Sequence, residues 1–141
     1  MFYSDLVKEA MLIAYKAHKK DHDKGGYPYF AHPFTLAIQF DDEVSVCVAL
    51  LHDVIEDHGD KYSFEYLEKK GFYKEIIDAL KLLTHDPKVD YVEYVKAIKP
   101  NEVARRVKLA DLHHNTDLRR TNGEKSYKYD LYLKAIAYLE D

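Results

Sequence analysis

Ala49-Leu50-Leu51-His52-Asp53-Val54-Ile55-Glu56-Asp57 is an apolar run that ends in four polar residues. A neutral imidazole beside a carboxylate offers two ligands to one divalent metal. Glu56 lies four residues after His52, and Asp57 four after Asp53. On a helix each pair shares a face, so two ligands and two further carboxylates point at one volume. The run upstream is rich in Val and Ala, and Asp41 or Asp42 is placed to cap it as a helix that carries His52 and Asp53.

Outward from that helix, most of the chain reads as helices with short joints. Ser4 caps a first helix with Leu6, Ala10, Ile13, Ala14 and Ala17 at helical spacing. A polar stretch from Lys19 to Gly26 follows, and Pro33 fits the first turn of a short second helix through Leu36 and Ile38. Beyond Gly59, Ser63 opens a helix that stops near Gly71. Phe72 to Leu83 forms the next, with Ile76, Ile77, Leu80 and Leu83 inward. Pro87 and Pro100 bracket another. Asn101 caps one carrying Val103, Val107, Ala110 and Asp111, and the last starts at about Ser126. No strand-like alternation is sustained and no repeat is visible. The expectation is one all-α domain over residues 1–141, an irregular orthogonal bundle whose crossing helices bring distant residues together.

Composition narrows the function classes. The 141 residues are 47% hydrophobic and 33% charged, enough for both a core and a hydrated surface. The net charge of −4 argues against a broad grip on DNA or RNA. No apolar run approaches the roughly 18–20 residues of a membrane span. Met1 to Asp5 lacks the regions of a signal peptide. Cys47 is the only cysteine, so a reducing cytoplasm is the expected compartment and a buried core position the expected role. Oligomeric state is left open.

Four potential ligands sit in three places: His32 before Pro33, the pair His52 and Asp53, and Asp111 amid Leu109, Ala110 and Leu112. A carboxylate in such an apolar setting is costly unless paired or metal-bound. Two nitrogens and two oxygens suit Mn²⁺, Fe²⁺, Co²⁺ or Zn²⁺ better than Ca²⁺.

This order, His…His-Asp…Asp, resembles the HD-domain metal-dependent phosphohydrolases. Pro28-Tyr29-Phe30-Ala31-His32-Pro33, Leu50-Leu51-His52-Asp53-Val54-Ile55-Glu56-Asp57 and Val107-Lys108-Leu109-Ala110-Asp111-Leu112-His113-His114-Asn115 are similar to three ordered motifs of one branch. That branch comprises the hydrolase domain of RelA/SpoT-type enzymes and the stand-alone small alarmone hydrolases. The resemblance runs from about Ala10 to Leu118. It implies a Mn²⁺-dependent enzyme that removes the 3′-pyrophosphate of guanosine tetra- or pentaphosphate, the alarmones of the stringent response. His32, His52, Asp53 and Asp111 would hold the metal. Glu56 and Asp57 would handle the protons of the attacking water and leaving oxygen. Asn115 would hold the nucleotide, as an Asn does in the family; by position alone, Lys108, three residues before Asp111, and Lys24, beside the Pro-Tyr segment, are placed to supply charge to it.

One departure bears on substrate choice. The family usually has an Arg before the Pro-Tyr segment, stacked on the base; here that position is Asp23, and the family's Gln two places earlier is Asp21. An aspartate there is expected to repel a polyphosphate. Two other readings therefore stay open: a phosphohydrolase for a different nucleotide or phosphoester, and a non-catalytic nucleotide-binding module. Several residues also have plainer readings. His114 suits a structural hydrogen bond, Lys108 a side chain snorkelling from its helix, and Arg119 and Arg120 a solvated surface.

Overall fold

The computed structural model describes residues 1–141 and is all-helical. The order is α1 (Asp5–Ala17), α2 (Ala31–Ala37), α3 (Glu43–Leu51), α4 (Val54–His58), α5 (Phe64–Lys69), α6 (Lys74–Leu83), α7 (Tyr91–Ile98), α8 (Glu102–Asn115) and α9 (Tyr129–Glu140). A 3₁₀ turn at Leu118–Thr121 joins the last two. Strand-like pairing is limited to an isolated antiparallel bridge between His22 and Pro28.

Helix α3 is the hub. Every residue from Ser45 to Leu51 is buried, and the helix packs against α1, α2, α6 and α8. A helix that is apolar on all sides has to be surrounded. Its neighbours each turn one apolar stripe inward: Val7, Ala10, Ile13 and Ala14 on α1, and Ile76, Ile77, Leu80 and Leu83 on α6. Truncating Leu50 or Leu51 to Ala costs about 2–5 kcal/mol in such a setting. Ser4, Asp42, Ser63 and Asn101 accept the amides of Val7, Ser45, Tyr66 and Ala104 at 2.9–3.1 Å. Each cap contributes about 1 kcal/mol.

The expected continuous helix through Asp57 is broken. His52 and Asp53 form a turn, and α4 restarts at Val54. The cause is local: His52 Nδ1 bonds to the Ala49 carbonyl at 2.7 Å, the acceptor that the Asp53 amide would use in an unbroken helix. Two other helices start later than the sequence suggests. Phe72 is a core residue and Tyr73 caps α6, while α9 begins at Tyr129.

Candidate metal centre and its clefts

The three motifs meet beside α3. His32 comes from α2, His52 and Asp53 from the turn after α3, and Asp111 from α8. His32 Nε2 lies 2.9 Å from Asp111 Oδ1 and 3.8 Å from Asp53 Oδ2. His52 Nε2 lies 3.0 Å from Asp53 Oδ2 and 3.4 Å from Asp111 Oδ1. One donor atom from each residue falls within 4.8 Å of all the others.

Both imidazoles are turned so that Nε2 faces this centre. Nδ1 of His52 is bonded to the Ala49 carbonyl. Nδ1 of His32 is 2.7 Å from Nδ1 of His114. Burial, then Arg120 and His32, lowers the pKa of His114 to about 4. His114 is therefore neutral, and a His32 that ligates through Nε2 carries its proton on Nδ1, from where it would donate to His114. Such outer bonds fix the tautomer that leaves Nε2 free to ligate. His52 Nε2 is buried with no hydrogen-bond partner of good geometry. An orphaned nitrogen facing two carboxylates is satisfied by a cation. The group can hold a divalent metal, and its two nitrogens and two oxygens match that chemistry.

Neighbours hold the carboxylates in place. Asp111 Oδ2 accepts from Lys108 Nζ at 3.0 Å, and Oδ1 accepts from Asn115 Nδ2 at 3.0 Å. Burial alone would raise the pKa of Asp111; Lys108 and the two histidines hold it well below the usual carboxylate range. Burial works against His52 as well, but Asp53 and Asp111 push its pKa up. Tyr29 donates to Asp53 Oδ2 at 2.5 Å, and burial together with Asp53 raises that phenol's pKa.

One cleft opens from the centre and a second lies beside it, next to the Tyr29 and Asn115 that bond to Asp53 and Asp111. The first, about 300 Å³, is lined by His52, Asp53 and Asp111 together with Glu56, Lys108 and Lys128. Glu56 is aimed by the His85 amide, which donates to Oε1 at 2.7 Å. The second, about 270 Å³, is lined by Lys24, Tyr29, Asn115, Arg120 and Tyr129 among others. Tyr132 lines both. A separate apolar groove between α7 and α9, with Val92, Val95 and Leu131, has no convergent polar groups.

The structure thus brings His32, His52, Asp53, Asp111, Lys108 and Asn115 together and puts Glu56 on the first cleft's wall. Lys24 lies on the second cleft, over the Tyr127 ring at 5.8 Å. Asp57 lines neither cleft, and burial with Asp53 and Glu56 pushes its carboxyl up to about 6. Cys47 is buried and its thiol is pushed up to about 12, chiefly by burial.

Two expectations change. Arg120 is not a solvated side chain: it bonds to the His114 carbonyl at 2.8 Å and to Asp23 Oδ2 at 3.1 Å. Asp23 in turn is not a free charge facing a ligand. Its Oδ1 accepts the Gly25 and Tyr27 amides, and Arg120 neutralises it. Gly25 is required here, because a Cβ on it would sit 2.2 Å from the Arg120 carbonyl oxygen. His85, Lys128 and Tyr132 were missed in the sequence. None stands in a motif, and only the tertiary fold carries them to the cleft.

No family model matches the chain. Part of it is similar to the GTP pyrophosphokinase rsh of Brucella melitensis biotype 1, at 38% identity over 56 residues, 37% of this chain and 8% of that protein. Part is similar to a GTP pyrophosphokinase of Myxococcus xanthus, at 39% over 57 residues, 38% of this chain and 8% of that protein. Each match therefore spans less than a tenth of the relative's length.

Proposed function

We propose that the chain is a metal-dependent phosphohydrolase acting on a phosphorylated nucleotide, of the guanosine-3′,5′-bis(diphosphate) 3′-pyrophosphohydrolase type. The observation that carries this reading is the convergence of two histidine Nε2 atoms and two carboxylates on one centre beside a lysine-lined cleft. The partial similarity to GTP pyrophosphokinases supports a nucleotide of that class.

His32, His52, Asp53 and Asp111 would hold the metal, with Mn²⁺ the expected ion. When bound it supplies water activation and screening of phosphate charge. Glu56, held by the His85 amide, takes the proton of the attacking water. Asp57, on α4 beside Glu56 but lining neither cleft, is assigned to proton handling by the resemblance alone. Lys108 keeps Asp111 ionised and, with Lys128, presents positive charge to the phosphates. Asn115 and Lys24 contact the nucleoside from the second cleft.

Metal-free protein given Mn²⁺ and guanosine tetraphosphate should release GDP and intact pyrophosphate. A nucleotide panel run beside it separates the second reading, a phosphohydrolase for another nucleotide or phosphoester. Asp23 favours that reading, because it occupies Arg120 within the second cleft. Turnover of another nucleotide alone would move the substrate assignment. Turnover of none under Mn²⁺, Fe²⁺, Co²⁺ and Zn²⁺ would overturn the enzymatic reading.

A further inference from the structure

A second set of metal-ligating side chains lies outside the centre. His18 ends α1, Asp21 sits in the connection that follows, and His58 ends α4. His18 Nδ1 is 3.1 Å from Asp21 Oδ2, and His58 Nε2 is 2.6 Å from the same oxygen. All three donor atoms lie within 4.8 Å of one another. We propose that His18, Asp21 and His58 form a second divalent transition-metal site that ties the end of α1 to α4.

The donor set is two imidazoles and one carboxylate, the chemistry that selects Zn²⁺, Fe²⁺ or Co²⁺ over Mg²⁺ or Ca²⁺. Three protein ligands leave a position for water. His18 is fully buried, while Asp21 and His58 are about a third exposed, so the site is open on one side. Ligands at tetrahedral angles around zinc lie about 3.4 Å apart. The His18–Asp21 spacing is already close to that. His58, on the open side, has to move back by less than about 1 Å.

The backbone carrying these ligands is fixed without a metal. The His18 amide bonds to the Ala14 carbonyl at 3.0 Å, and the Asp21 amide to the His18 carbonyl at 2.9 Å. The Asp21 carbonyl accepts from the Tyr29 amide at 2.9 Å, and the His58 carbonyl from the Tyr62 amide at 2.9 Å. Ligands on a set backbone lose little freedom on binding. Burial also lowers the pKa of His18 against the pull of Asp21 and Asp53, which favours the neutral, ligating imidazole.

One feature weakens the site relative to the four-residue centre. With a metal on Nδ1, His18 carries its proton on Nε2, which is buried and without a hydrogen-bond partner. In the centre, both non-ligating nitrogens are bonded. The two sites are neighbours: the Tyr29 ring lies 4.8 Å from the His18 ring, and its hydroxyl holds Asp53. Occupancy would clamp α4, which carries Glu56 and Asp57, to the end of α1.

The test is a count of bound Zn²⁺ on metal-free protein by equilibrium dialysis, comparing wild type, His58→Gln and His52→Ala. His58→Gln should lose one equivalent, the more weakly held, and keep the one that His52→Ala removes. Zn²⁺ should also raise the Tm of His52→Ala but not of the double variant. Should the variants fold poorly, the ¹⁵N signals of the His18 ring in wild type give the answer. Zn²⁺ should shift Nδ1 and move the proton to Nε2. An unchanged count in His58→Gln, or no response of His18 to Zn²⁺, would overturn the site. Neither readout depends on turnover, so the second site stands or falls apart from the proposed function.

Discussion

The centre and the second cleft are built in opposite ways. The centre takes its side chains from α2, α8 and the turn that follows the buried α3, and each of the four side chains is braced by a further hydrogen bond. The second cleft is made mostly from connecting segments, with residues 21–27 held against the 3₁₀ turn at Leu118–Thr121 by one ion pair and one glycine contact, and Asn115 of α8 and Tyr129 and Tyr132 of α9 completing the wall. If the proposed function holds, the difference separates chemistry from selectivity. The four atoms that would hold the metal are fixed by packing around α3, and those that would choose the ligand sit where sequence can change at less cost to the core.

The largest effect should come from the centre. Asp111→Ala removes one of the four proposed metal ligands and leaves the Lys108 ammonium without its partner. Metal-free protein should lose about 3–5 kcal/mol of stability in urea unfolding, the cost of breaking a buried ion pair. Its Mn²⁺ binding should vanish in equilibrium dialysis. Glu56→Gln should act differently, cutting turnover by about 10²–10⁴-fold while Mn²⁺ affinity stays at the wild-type level. Equal loss of both in Glu56→Gln would erase the division between holding the metal and moving the proton.

Smaller effects are expected from the loops. Asp23→Arg places two guanidiniums together, and Arg120→Asp places two carboxylates together. Each should destabilise, and the exchange Asp23→Arg with Arg120→Asp should recover part of the loss. The coupling is about 0.5–3 kcal/mol by double-mutant cycle. Metal affinity should be unchanged in all three, and a shift in it would tie the loops to the centre. The smallest effect is on proton binding. Burial would raise the pKa of Asp23, but the Tyr27 amide and Arg120 hold it below the ordinary 3.8. Between its folded value and 3.8 the unfolded chain binds the proton and the folded chain does not. The clamp's contribution is thus present above about pH 4 and is lost as pH falls through the folded value. Carboxyl ¹³C titration should find the Asp23 value raised towards normal in Arg120→Gln.

How much was legible in the sequence follows the same division. Ser4, Asp42, Ser63 and Asn101 announced helix starts, because a cap is a local bond between residues three apart. The apolar face of α6 and the unbroken apolar run of α3 announced the all-α core. The four residues of the centre were legible because each stands in a short motif with an unusual polar residue in apolar company. The break at His52 was not, since it depends on a side chain turning back to the Ala49 carbonyl. Asp23 was read as a free charge because its partner, Arg120, lies 97 residues away and no periodicity links the two. His85 reaches Glu56 through its backbone amide, a contact that leaves no mark on residue identity.

The metal centre is tested most directly by the anomalous scattering of a crystal soaked in a first-row divalent metal. A metal in the four-residue centre should give a peak about 2.0–2.2 Å from His32 Nε2, His52 Nε2 and an oxygen each of Asp53 and Asp111, absent in Asp111→Ala. Density confined to His18, Asp21 and His58, or no bound metal at all, would contradict it.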